Sequence, residues 1–181
     1  MGFEIAKRLE VPLDVLIVRK IGAPDNPEYG LGALAEDGTR YLDLGRVREA
    51  GYSPKDLEPI IAEELAEIRR RAAAYRGGAP ARSLRDRTVI LVDDGVATGA
   101  SVVAAIRSVR AQRARTVVVA VGVAPPDTVA RLLREADDVV ALLEPAEFFA
   151  VGEWYRDFDQ VSDEEVERLL ERTRASRAVP G

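Results

Sequence analysis

The sequence predicts an α/β domain with a mostly parallel sheet flanked by helices. Three observations carry this. Between residues 88 and 143, short apolar runs alternate with helical patterns in the order strand-helix-strand-helix-strand, which implies right-handed parallel crossovers. The run at 88–92 is almost continuously apolar, as expected of a strand covered on both faces. The chain has 181 residues, 47% hydrophobic and 31% charged, a balance that fits one folded domain able to bury a core. We therefore expect a single domain over 1–181, with a core over 1–145 and a small C-terminal hood and helix over 146–175.

The elements follow in order. Phe3, Ile5, Ala6 and Leu9, interleaved with charged residues, predict a helix at the very start, ended by Pro12. Residues 13–18 read as a short buried strand. The Gly/Pro/Asn-rich stretch 19–27 reads as a loop. Segments 29–35 and 39–44 flank Glu36-Asp37-Gly38 as a hairpin. Ser53-Pro54 is a helix start, and Leu57, Ile61, Leu65, Ile68, Ala72 and Tyr75 keep one apolar face until the Gly/Pro stop at 77–80. A polar connector spans 82–87. Strands at 88–92, 116–124 and 139–143 then alternate with helices at 99–113 and 126–136, the first of these with Val102, Val103, Ile106 and Val109 inward. Phe148, Phe149, Trp154, Tyr155 and Phe158 cluster in the tail, and a capping box of Ser162 with Glu165 opens a last helix. Residues 175–181 read as a frayed end.

Composition narrows the chemistry. There is no Cys and no His, which excludes disulfides, thiolate nucleophiles, Ser-His-Asp triads and His- or Cys-ligated metals. Carboxylates, Lys/Arg, hydroxyls, backbone amides and oxygen-held hard cations remain. A net charge of −5 argues against a nucleic-acid partner bound through a basic face. No apolar run is long enough to span a bilayer, and no signal layout opens the chain, so we expect no membrane partner and a cytoplasmic location. Arg outnumbers Lys 23 to 3, so each of Lys7, Lys20 and Lys55 draws notice. The Arg69-Arg70-Arg71 run reads as a solvated helix face paired with Glu63, Glu64 and Glu67.

The informative segment is Val89-Ile90-Leu91-Val92-Asp93-Asp94-Gly95-Val96-Ala97-Thr98-Gly99-Ala100-Ser101. A buried strand ends in two carboxylates, a short Gly- and hydroxyl-bearing loop follows, and a helix begins. Ligands of parallel sheets bind beyond the carboxyl ends of strands, and a helix N-terminus suits a phosphate. The acids would repel that phosphate unless hydroxyls or a cation intervene. A ribose 5-phosphate with Mg²⁺ satisfies both halves, because Mg²⁺ shares oxygen ligands with substrate phosphates. Two other readings stand beside this one: an acid pair that merely caps the helix, and a phosphoacceptor pocket of receiver type.

This segment resembles the ribose-phosphate signature of the type I phosphoribosyltransferases, in a bacterial branch. The resemblance implies use of 5-phosphoribosyl 1-diphosphate (PRPP) and Mg²⁺, transfer of ribose 5-phosphate to a nitrogenous base, and release of diphosphate. It implies that Asp93 and Asp94 bind the ribose hydroxyls and share the metal. Gly95, Val96, Ala97, Thr98, Gly99, Ala100 and Ser101 would form the loop that holds the 5′-phosphate. Some members carry an acid at the position of Ala97, which cannot act as a base. Val18-Arg19-Lys20-Ile21-Gly22-Ala23-Pro24 resembles the start of that family's lid, which would set Lys20, and secondarily Arg19, at the departing diphosphate. Trp154 and Tyr155 either pack the C-terminal cap or stack on the acceptor base. Homodimers are common in the resembled family. Its pattern also includes a first core strand and a diphosphate loop ahead of the opening helix. Neither is in this sequence, so we expect the fold to lack that first strand, leaving a central strand short of a neighbour. The alternative function is a non-catalytic PRPP or nucleotide-binding regulator that kept the fold.

Overall fold

The computed structural model describes residues 1–159 and 161–175. Helix α1 (Gly2–Leu9) opens the chain and ends at Glu10, which turns left-handed at φ 55 before Pro12. Residues 13–17 are half-buried but join no ladder among the described residues, so the strand expected at 13–18 survives only at Val18. This segment is held by packing and polar contacts instead: Leu16 packs on one core and Ile17 on the other.

The stretch expected as a loop at 19–27 is mostly a hairpin. Strand β1 (Val18–Ala23) pairs antiparallel with β2 (Asn26–Ala35) across Pro24-Asp25. Ile21 and Ala23 are buried on alternate positions, the period of a strand. Gly22 sits at a register shift, where a Cβ would overlap the backbone of Pro27. The glycine and prolines that read as loop signals thus serve a bulge and a turn. Strand β3 (Arg40–Leu42) completes an antiparallel sheet in the order β1-β2-β3.

A short helix not expected from the sequence, α2 (Leu44–Glu49), follows. Asp43 caps it, its Oδ1 accepting from Gly45 and Arg46 N–H at 3.1 Å each. Ser53 N–H donates to Asp56 at 2.8 Å in a capping box over the 3-10 turn Pro54–Leu57. Helix α3 (Glu58–Tyr75) then runs on, with Ile61, Ile68 and Ala72 buried.

The second half matches its expected order closely: β4 (Thr88–Gly95), α4 (Ala100–Ala111), β5 (Thr116–Val123), α5 (Pro126–Leu132) and β6 (Asp138–Leu143). The three strands form a parallel sheet in the order β4-β5-β6. β4 is paired to β5 on one edge, and no strand among the described residues pairs with its other edge. The chain is therefore an α/β fold whose parallel sheet is flanked by helices, with an antiparallel sheet beside it.

Helix α4 touches strands of both sheets. This explains why seven of its twelve residues are buried, Ala104 and Ala105 among them. After a 3-10 turn (Val151–Trp154), α6 (Asp163–Ala175) packs on α1 and α3. Ser162 accepts from Glu165 N–H at 3.2 Å, as its capping box predicts. Of the expected frayed end, residues 176–181 lie outside the described residues. No helix among the described residues is long and apolar enough to cross a membrane.

Candidate active site

The acid pair sits where β4 ends. Asp93 Oδ1 accepts from Asp94 N–H at 2.9 Å, and Asp94 Oδ1 accepts from Gly95 N–H at 2.7 Å. Each carboxylate is thereby turned by the next amide, and the Asp93 carboxyl also meets that of Asp94. Burial and the like charge of Asp94 push the Asp93 carboxyl up to about 6. The side chain keeps solvent access all the same. Neither acid caps α4, whose N-cap is Gly99, without a side-chain bond.

The loop behind the acids is tightly made. Val96 is buried and its N–H donates to Val123 O at 2.9 Å. A Cβ on Gly95 would lie 2.6 Å from Val151 Cγ1, so glycine lets the tail close over the strand end. Gly99 adopts φ +71, which glycine takes without steric cost. The first turn of α4 leaves N–H groups without intrahelical acceptors, and Gly99 has no side chain to accept from them. Ala97 and Thr98 are exposed, while Ala100 and Ser101 are half-buried at the helix start. The loop thus sets backbone donors and two hydroxyls beside two carboxylates.

The tail reaches the same place. Tyr155 O–H donates to Asp94 O at 2.5 Å, and burial, then the charges of Asp94 and Asp93, raise its pKa above the ordinary value. Tyr155 lies 5.3 Å from Phe158, ring to ring. Trp154, 38% exposed, joins Met1, Tyr155, Gly122, Val123, Leu142 and Leu143 around an open apolar hollow of about 280 Å³. Tyr155 thus packs in the cap and also lines this hollow.

The cations expected from the sequence fall elsewhere. Arg19 pairs with Glu64 of α3, 22% exposed at its side chain. Lys20 is exposed on β1, in the antiparallel sheet, and has no ion pair with Asp93 or Asp94. The Arg run is largely a solvated face: Arg70 and Arg71 both bind Glu67 at 2.8 Å, with Glu64 drawn to Arg19 instead.

Three positions around the loop went unread in the sequence. Gly122 gives room to Tyr155; a Cβ there would overlap the tyrosine hydroxyl and lie 2.7 Å from Asp94 O. A glycine inside an apolar strand run is the signal that marked it. Thr128 Oγ1–H donates to Ala97 O at 2.7 Å, keying α5 to the loop. Arg131 reaches the loop at Gly99. Thr128 and Arg131 share a helix face at i, i+3, but nothing in the sequence says which loop that face meets.

Comparison with known proteins identifies the family of the chain. The family model described as the phosphoribosyl transferase domain matches residues 1–155. Two Mycobacterium tuberculosis proteins, from strains CDC 1551 / Oshkosh and ATCC 25618 / H37Rv, are each 45% identical over 181 residues. Both are named "Putative phosphoribosyl transferase". The match takes in 100% of this chain and 41% of each of them, so the chain spans under half the length of these relatives. The crystal structure of TT1426 from Thermus thermophilus is 47% identical, with a TM-score of 0.76, over 94% of this chain and 80% of that one.

Proposed function

Because the chain belongs to the phosphoribosyl transferase domain family, we propose that it transfers ribose 5-phosphate from PRPP to a nitrogenous base and releases diphosphate. The observation that carries this reading is the junction of β4 with α4: two carboxylates and a glycine-shaped donor loop within a few residues of each other. Backbone N–H groups over 97–101, with the hydroxyls of Thr98 and Ser101, would hold the 5′-phosphate. Asp93 and Asp94 would hold the ribose 2′- and 3′-hydroxyls. Anchoring the sugar at both places aligns C1 for attack.

The base nitrogen attacks C1 as the C1–O bond to diphosphate breaks. The diphosphate leaves with the electron pair, and the nitrogen's proton passes to solvent or to the leaving group. Charge builds on the sugar as an oxocarbenium-like state, which the two carboxylates stabilise. Ala97 supplies no base, so the acceptor must give up its proton without one from this loop.

The donor set fits Mg²⁺: oxygen only, and two like charges with no cation between them. Among the described residues no group of three or more acids could hold a metal ion by itself, so the ion would be shared with substrate oxygens. When bound, Mg²⁺ would neutralise charge on the departing diphosphate. Lys20 would assist from the β1–β2 hairpin, and Arg19 only if released from Glu64. The apolar hollow at Trp154 and Tyr155 would receive the flat face of the acceptor base.

The test supplies Mg²⁺ and PRPP with a panel of purines, pyrimidines and pyridines and measures diphosphate. Release with one acceptor is expected, as is at least about tenfold weaker PRPP binding in Asp94→Asn with the fold intact. PRPP binding without release from any acceptor would overturn transfer and leave a PRPP-binding protein. Unchanged affinity in Asp94→Asn would overturn the site.

A further inference from the structure

The loop's donors are backbone and hydroxyl groups, and the residues read from the sequence include no cation beside it. One cation does stand there. Nη2 of Arg131, from α5, is wholly out of solvent and has no hydrogen-bond partner among the described residues, although the residue as a whole is half-buried. It lies 2.5 Å from where a Cβ on Gly99 would be. The helix that carries it is fastened to the loop by the Thr128 hydrogen bond to Ala97 O. Glu135, one turn on, feels the charge of Arg131 but is engaged by two bonds from Arg107, at 2.7 and 3.2 Å. A buried cationic N–H without an acceptor is costly, and an arriving anion removes that cost.

We propose that Arg131 is the charged donor of the phosphate loop, binding a phosphate oxygen that sits at the N-terminus of α4. This rests on the sugar-phosphate reading for the identity of the ligand, but not for the presence of an anion site. The absent Cβ of Gly99 gives the guanidinium its place against the loop. Gly99 is thus required twice, for its backbone angle and for the approach of Arg131.

Calorimetric titration with ribose 5-phosphate and with inorganic phosphate tests this on the wild type, Arg131→Gln and Arg131→Lys. Melting curves report the fold of each. Wild type binds both probes, Arg131→Gln loses at least about tenfold in affinity, and Arg131→Lys recovers part of it, because Lys keeps the charge without the planar fork. Affinity in Arg131→Gln also depends less on salt, as loss of a charge requires and mere loosening of the loop does not. If Arg131→Gln does not fold, Arg131→Lys carries the comparison. Wild-type affinity and salt dependence in the folded variants would overturn the role of Arg131 and leave the sugar-phosphate reading standing. Arg131-dependent binding of inorganic phosphate without binding of ribose 5-phosphate would support the anion site and overturn the sugar reading. No binding of either probe by wild type would overturn both.

Discussion

Asp93 is held in a conflict that its sequence neighbour creates. Its folded carboxyl sits at about 6, against about 3.9 in an unfolded chain. The folded state therefore binds more protons between these values, and stability falls as pH rises from about 4 to about 6. Asp93→Asn removes the charge that is repelled. Its melting temperature is expected to exceed that of wild type at pH 7.5 and to converge with it below pH 4. The side chain is solvent-accessible, so the gain is discounted to about 1 kcal/mol, or about 2–4 °C. A difference constant over pH 4–8 would contradict the assignment. Such a residue, costly to stability where it stands, is what a ligand site retains. Gly122 makes the complementary case. Gly122→Ala drives a Cβ against Asp94 O and the Tyr155 hydroxyl, so Tyr155 must leave its hydrogen bond. We expect a loss of about 1–3 kcal/mol by urea denaturation, and a shifted emission of Trp154, the single tryptophan. An unchanged spectrum would show that the tail does not lean on this glycine.

At the scale of elements, the segment 13–17 shows how a stretch without a ladder is held. Arg76, 8% exposed at the end of α3, binds Asp14 at 3.2 Å, Val15 O at 2.7 Å and Glu36 at 2.8 Å. One guanidinium thus ties α3, the irregular segment and the end of β2. Arg76→Met is expected to cost about 3–5 kcal/mol, because it strands two carboxylates. Adding Glu36→Gln should recover part of that loss, a coupling that equilibrium unfolding of the double variant reads directly. The α4 start teaches a related lesson. The Asp-Asp-Gly…Thr-Gly spacing was legible because strand, loop and helix follow one another in the chain. Thr128 and Arg131 were not, because they come from α5 and meet the loop only through the packing of the parallel sheet.

Across the whole molecule, α4 joins two sheets whose strands, among the described residues, pair only within their own sheet. Ile106 is fully buried in the core that includes Val117 and Val119 of β5, and Tyr41 of β3 packs on the same core. Arg107 adds a cation over the Tyr41 ring at 5.2 Å. Ile106→Ala is expected to cost about 2–5 kcal/mol. Far-UV circular dichroism and Trp154 fluorescence should still report one coincident transition, since both sheets lean on the same helix. Two separated transitions would mean that the antiparallel sheet folds on its own.

Much of this architecture was already in the residues taken alone. Apolar periodicity set the order and type of the elements from 88 to 143, and caps and prolines marked several ends. The acid pair and its loop were readable as a sugar-phosphate site because their chemistry is contiguous. Tertiary structure decided what periodicity does not carry. It turned residues 19–27 into a hairpin, since the same Gly and Pro serve a loop or a bulged strand until a partner strand is present. It left 13–17 outside any ladder, because a strand is defined by a neighbour and not by its own apolar side chains. It sent Arg19 to Glu64 and brought Arg131 to Gly99, because long side chains from distant elements find partners only once packing has set which faces meet.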